Sequence, residues 1–272
     1  MEQYRKMEQY KEYIYDGSFT GFLTTAYHVL KNKEKPARIV RKEDHRQALF
    51  GSTMEIESDE DKADRLSEAI REEISHKSFK YLHHAFLSEY EDIELTILDS
   101  LVICFKENKK IEECSLNESI KEIKKAAGKV RRENHRYKGL LRFRQLSDGS
   151  LYAPFNPEHN ITGLLIPHFA SRLSTEEGMI HDRERDTAAI FSRGEWELLD
   201  ASDLPTPDTE NYAREEENYQ QLWRTFFDYI AIEERKNPEL QKSLMPKKYR
   251  DYLVERPQSG PGPSRRVKDG GH

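Results

Sequence analysis

Two cysteines, Cys104 and Cys114, are all that this chain of 272 residues contains. They are too few for a disulfide framework, a four-thiolate metal site or a three-cysteine iron–sulfur centre. Long apolar runs are missing too: the best is "LVICF" at 101–105, against the roughly 20 residues that a membrane span needs. The N-terminus, "MEQYRKMEQYKEY", has no apolar signal core. Neither GxxxxGK[ST] nor GxGxxG occurs, and HExxH and CxxC are absent as well. Those gaps remove the common signatures for nucleotide phosphates and catalytic zinc. The expectation is a reduced, cytoplasmic protein with no membrane contact and no metal or cofactor of its own.

What is present is aromatic and charged. Fourteen Tyr, 12 Phe and 2 Trp are too many for a wholly disordered chain, so a packed core is expected. The net charge is −6, but it is unevenly spread. Residues 55–99 carry 14 acids against 5 bases, and 195–220 carry 9 against 1. Conversely, 121–150 hold 10 bases and 3 acids, and 235–250 hold 6 bases and 1 acid. Such segregation makes a local positive field on an acidic protein, attractive to phosphates. It is equally what acidic and basic helices show when they pair with each other or face water.

Periodicity divides the chain. "YIYDGSF" (13–19) reads as a short strand, a turn at Asp16-Gly17 and a helix capped by Ser18. That helix carries Phe22, Leu23, Ala26, Val29 and Leu30 on one stripe. "ARIVRK" (37–42) is a second candidate strand, and from 59 to 137 the pattern is helical, with caps expected at Ser58 and at a Ser115–Glu118 capping box. Beyond Gly139 the period changes. "LLRFRQLSDGSLYAPF" (140–155) alternates about Asp148-Gly149, a hairpin signal that places Leu141 and Phe143 on one face and Arg142 and Arg144 on the other. A helix follows, broken or restarted near Pro167, and then "MIHD", "TAAIF" and "EWELL" read as strands joined by turns at Arg183–Asp186 and Arg193-Gly194. About five antiparallel strands are thus expected between 140 and 200.

The fold class is α+β, with a helical N-terminal half and a small antiparallel sheet with flanking helices in the C-terminal half. The expected layout is an N-terminal extension at 1–12, a domain at 13–254 and a disordered tail at 255–272. Within the domain, 13–137 is mainly helical and 138–254 holds the sheet plus helices, with "DLPTPDTE" (203–210) as a linker. Tyr219, Trp223, Phe226, Phe227 and Ile230 form a helical stripe that reads as core packing.

Chemistry concentrates in fifty residues: Glu133, His135, Arg136, His159, His168, Arg172, His181, Asp182 and Arg185. His168 and Arg172 sit at i and i+4 in an otherwise apolar helix, a pairing that suits an anionic group. Arg fixes its geometry while His moves protons near neutral pH. The candidate catalytic set is His168, Arg172, His135 and His181, the first two facing the sheet and His135 or His181 reaching the same cleft. Each has a plainer reading as a satisfied core, capping or strand residue. Lys129, Arg132 and Arg136 share a helix face next to Arg142 and Arg144, and these five form a candidate nucleic-acid-binding set whose affinity would be sequence-independent and salt-sensitive.

Five segments carry a resemblance: "YIYDGSFTGFL" (13–23), "VRRENHRYKGLLRF" (130–143), "FNPEHNITGLLIPHFASRL" (155–173), "IHDRERDTAAIF" (180–191) and "NPELQKSLMPKKYRDYL" (237–253). Together they resemble an uncharacterised bacterial family of DNA-metabolism and DNA-repair proteins. The resemblance implies a companion radical-SAM protein, which would own any iron–sulfur cluster and SAM, and a kinship with a domain fused to a uracil-DNA glycosylase. It assigns no catalytic residue. Two functions stay open: a DNA-repair component that contacts DNA weakly through a basic face and acts with the radical-SAM partner, or a nucleic-acid-directed hydrolase or lyase using the His/Arg cluster.

Overall fold

The computed structural model describes residues 11–46, 51–114, 116–204, 207, 212–230, 249 and 252–254, without the side chains of 226–230. The tail at 255–272, most of the 203–210 linker, Ser115 and residues 1–10 of the expected extension lie outside the described residues. The class is α+β, and the chain forms two compact units that divide at Arg131/Arg132, inside one long helix.

In the first unit the central strand β1 (Lys11–Tyr15) is flanked by β2 (Arg38–Arg41) and β3 (Ser52–Glu55), both parallel to it. A parallel strand covered on both faces shows no alternation, and Glu12, Tyr13, Ile14 and Tyr15 are all buried. The short, largely exposed "STME" of β3 carries no strand signal, so the sequence reading missed it. Helix α1 (Phe19–Asn32) starts as its sequence asks: the Ser18 hydroxyl accepts from Gly21 N at 2.9 Å, and Phe22, Leu23, Ala26 and Val29 are buried.

Four helices follow: α2 (Glu60–Ala69), α3 (His76–Phe86), α4 (Ile93–Glu107) and α5 (Glu118–Leu140). Asp59, not Ser58, caps α2, because the Ser58 hydroxyl is donated to Asp16 Oδ2 at 2.6 Å. At the start of α5, Asn117 Oδ1 accepts from Ile120 N. Tyr15, Phe22 and Phe86 pack ring to ring at the centre of this unit, and Cys104 and Cys114 are buried in the same core. Each such large side chain contributes on the order of 2 kcal/mol by burial.

The second unit holds five strands in the order β4 (Arg144–Gln145), β5 (Leu151–Phe155), β6 (Glu177–Asp182), β7 (Thr187–Ser192) and β8 (Glu195–Asp200). The expected turn is present: Gly149 has φ +90°, and Asp148 Oδ1 accepts from Ser150 N and Oγ. Two expectations need correction. Helix α5 runs through Gly139 to Leu140, so only Arg144 and Gln145 remain for the first hairpin strand. The sheet is also mixed rather than antiparallel, since β5 and β6 are parallel. The connection between them carries α6 (Thr162–Arg172), long enough to return the chain to the same end of the sheet. Helix α6 continues unbroken through Pro167, which lies on its exposed side, where water can replace the lost backbone bond.

Helix α6 covers one sheet face, on which Gly178, Ile180, Phe191 and Leu198 lie: Phe169 and Phe191 both pack on Phe143, and Leu198 reaches Gly163. Strand alternation puts Arg144, Tyr152, Met179 and His181 on the opposite face. The last described helix is α7 (Glu216–Ile230). Its stripe is not core as expected: Tyr219 is 63% exposed and Trp223 41%, while the side chains of Phe226, Phe227 and Ile230 lie outside the described residues.

Candidate nucleic-acid interface

Four of the quoted segments meet in one hydrogen-bond network. Glu133, on α5, is 2% exposed, yet its carboxylate accepts three bonds. Glu158 N reaches Oε1 at 3.0 Å, His159 N reaches Oε2 at 2.9 Å, and Tyr249 Oη donates to Oε1 at 3.0 Å. One turn further along α5, Tyr137 Oη donates to Asn156 O at 2.9 Å. From the β6–β7 turn, Arg185 donates to Pro157 O, Glu158 O and Asp182 Oδ2. The "NPEH" loop is therefore held by its amides on one side and its carbonyls on the other. A buried carboxylate is costly unless so satisfied, which explains a lone acid in a basic stretch. Burial pushes the Asp182 carboxyl up to about 6 against the downward pull of Arg185.

On the sheet face away from α6, Tyr152 Oη lies 3.0 Å from His181 Nδ1. Arg183 also hydrogen-bonds this hydroxyl, and Tyr212 and Tyr252 lie near it. Burial holds the Tyr152 phenol up at about 12 and pushes the His181 imidazole down to about 4, with Arg183 adding to the latter. His181 is thus a neutral imidazole across the physiological range. Beside Tyr152, Arg144 donates to Tyr212 Oη at 3.3 Å and its guanidinium lies 5.5 Å from that ring. Arg142, just beyond α5, lies 5.6 Å from the ring of the exposed Trp223. Guanidiniums held near aromatic rings offer charge and π faces on which phosphates and bases both bind.

The remaining candidates are dispersed. His168 and Arg172 neighbour each other as expected, but on a flank of α6 that the sheet leaves open: His168 is half-buried and Arg172 exposed. The inward positions are taken by Leu165, Ile166 and Phe169, so the expected orientation toward the sheet is corrected. His135 is exposed on α5, and His159 is buried within the loop network. His181 lies on the sheet face opposite α6, so it does not share a cleft with His168. Among the basic residues, Arg132 is exposed, Arg136 lies over the Tyr249 ring at 5.7 Å, and Lys129, in the first unit, lies 5.0 Å from the Tyr90 ring. The sequence reading missed Tyr249 and Tyr152. Their only local signal was an aromatic inside a segment that carries the resemblance or inside the hairpin.

Among the described residues no group of three or more His, Cys, Asp or Glu side chains is arranged to hold a metal ion, and no helix is long and apolar enough to cross a membrane. No curated protein and no solved structure matches the chain. The model of one family, DUF4130, a domain of unknown function, matches residues 91–255. That span takes in the Glu133 network, the Tyr152–His181 pair and both arginine–aromatic pairs, and by it the chain belongs to the DUF4130 family.

Proposed function

We propose that this protein is a nucleic-acid-contacting component of DNA metabolism or repair that works with a radical-SAM partner. The observation that carries the contact is the pairing of Arg142 with Trp223 and of Arg144 with Tyr212, basic groups beside aromatic rings in one unit. The DNA-repair setting and the partner rest on the sequence resemblance alone. Binding is favoured over catalysis because His181 and His168 lie on opposite sides of the sheet, which splits the His/Arg cluster that a hydrolase or lyase would use.

The contact is weak, since the chain is acidic overall, and it is strongest on single strands, whose unstacked bases are open to Trp223. Fluorescence anisotropy with labelled single-stranded DNA across a salt series tests it. Affinity should fall with salt, and Arg142→Ala with Arg144→Ala should lower the logarithmic slope by about 0.7 for each phosphate that is no longer neutralised. Salt-independent affinity, or none at low salt, overturns the reading. Co-purification with the radical-SAM protein tests the partnership.

A further inference from the structure

Buried N–H groups in proteins nearly always find an acceptor, and one left without costs free energy. On one face of the second unit's sheet, two buried nitrogens have no partner: His181 Nε2 and Arg144 Nε. They flank the same residue. Arg144 is the cross-strand partner of Tyr152, and His181 takes the Tyr152 hydroxyl at Nδ1. Tyr152 Oη lies 3.0 Å from His181 Nδ1, and when the phenol donates there the neutral ring carries its own proton on Nε2. In that tautomer both orphans are donors, and Arg144 and Arg183 bring two positive charges near Tyr152 and His181. The acids nearby are Asp186, which faces His181, and Glu216, whose oxygens accept from Gln145 N and the Gln220 amide.

We propose that this face is a phosphate site, in which Arg144 and Arg183 grip the anion while Arg144 Nε–H and His181 Nε2–H donate to its oxygens. Guanidinium forks match phosphate geometry, and a neutral imidazole N–H adds a donor that does not depend on pH in the neutral range. His181 is 2% exposed, too deep for an internal phosphodiester that carries chain on both sides. The site takes a terminal phosphate monoester, at a nucleic-acid end or on a free nucleotide. The choice of a nucleic-acid end rests on the function proposed above; the phosphate site itself does not.

The test uses the full chain and four probes: inorganic phosphate, adenosine 5′-monophosphate, and one single-stranded oligonucleotide with a 5′-phosphate or a 5′-hydroxyl. Phosphate should raise Tm relative to chloride at equal ionic strength, and the 5′-phosphorylated strand should bind about tenfold tighter than its 5′-hydroxyl counterpart. Arg144→Lys and Arg183→Lys keep the charge but lose the fork, and they should abolish that difference while circular dichroism shows an intact fold. Arg193→Lys, on the exposed β7–β8 turn, should leave it unchanged. Equal binding of both strands with no phosphate-dependent Tm rise overturns the site and leaves the nucleic-acid reading standing. A Tm rise and nucleotide binding without binding of either strand keeps the site and overturns the nucleic-acid reading. Unchanged phosphate affinity in folded Arg144→Lys and Arg183→Lys also overturns the site.

Discussion

Tyr249 donates its hydroxyl to Glu133 Oε1 at 3.0 Å, a buried bond between positions 116 residues apart. With the amides of Glu158 and His159 on the same carboxylate, it ties α5, the loop before α6 and the C-terminal segment into one piece. The loop this fixes leads out of β5, the strand that carries Tyr152, so the network holds the proposed phosphate face in place.

Loss of that carboxylate should cost stability. Glu133→Gln turns an amide NH2 toward backbone N–H groups and should destabilise by about 1–3 kcal/mol, and Tyr249→Phe by about 1 kcal/mol. Because the two share a bond, the double variant should lose less than the sum. Urea unfolding of the three variants measures this, and additive losses would show that the two residues act independently.

Acid should act in two opposing ways. Burial pushes His83 and His181 down to about 4, so below pH ~6.5 the unfolded chain takes protons that the folded chain refuses. Stability from these two groups falls between pH ~6.5 and ~4. Burial raises Asp182 to about 6, so the folded chain binds its proton first and gains stability over pH ~6 to ~4. Two histidines against one aspartate leave a net loss on acidification. Asp182→Asn should therefore steepen the fall in urea midpoint between pH 6 and pH 5, whatever it does to stability at pH 7. A shallower fall contradicts the raised Asp182.

Trp223 should report on DNA. The chain has two tryptophans, so Trp196→Phe leaves Trp223 as the sole indole. Its fluorescence should be quenched by single-stranded DNA and far less by duplex. Trp223→Ala should cost about 1–3 kcal/mol of single-strand affinity. Equal quenching by both forms would assign binding to charge rather than stacking.

The two thiols should be inert. Cys104 and Cys114 are buried, and burial pushes Cys104 up to about 12, leaving almost no thiolate at neutral pH. A thiol reagent such as Ellman's should label both only as fast as the first unit opens, with labelling accelerated by urea. Immediate native-state labelling would contradict the burial.

One substitution should change sign with position. Gly149 has φ +90° with nothing within 4 Å of an added Cβ, so Gly149→Ala should lose about 1–2 kcal/mol from backbone strain alone. Gly139 also has open space but sits in the last turn of α5, where Ala should gain about 0.5–1 kcal/mol. Thermal unfolding of both variants compares them, and a gain at Gly149 would rule out the turn.

By itself the sequence determined what local forces decide. The Ser18 cap, the Asp148-Gly149 turn and the alternation of β6 to β8 were legible because a cap, a positive φ and a period of two each act within a few residues. Arg142 and Arg144 stood out as charge in a basic stretch. Partner choice was not legible: parallel β5–β6 pairing, and β1 between β2 and β3, follow from how distant segments close, which the strands' own residues do not encode. The same holds at the candidate site. Four histidines look alike in sequence, and only burial separates the solvent-facing His135 and the half-buried His168 from His181, with its Nε2 orphaned. Glu133 reads as one acid offsetting six bases until 158, 159 and 249 arrive around it. Desolvation and its compensation by hydrogen bonds are properties of the enclosed volume, and only the tertiary structure encloses it.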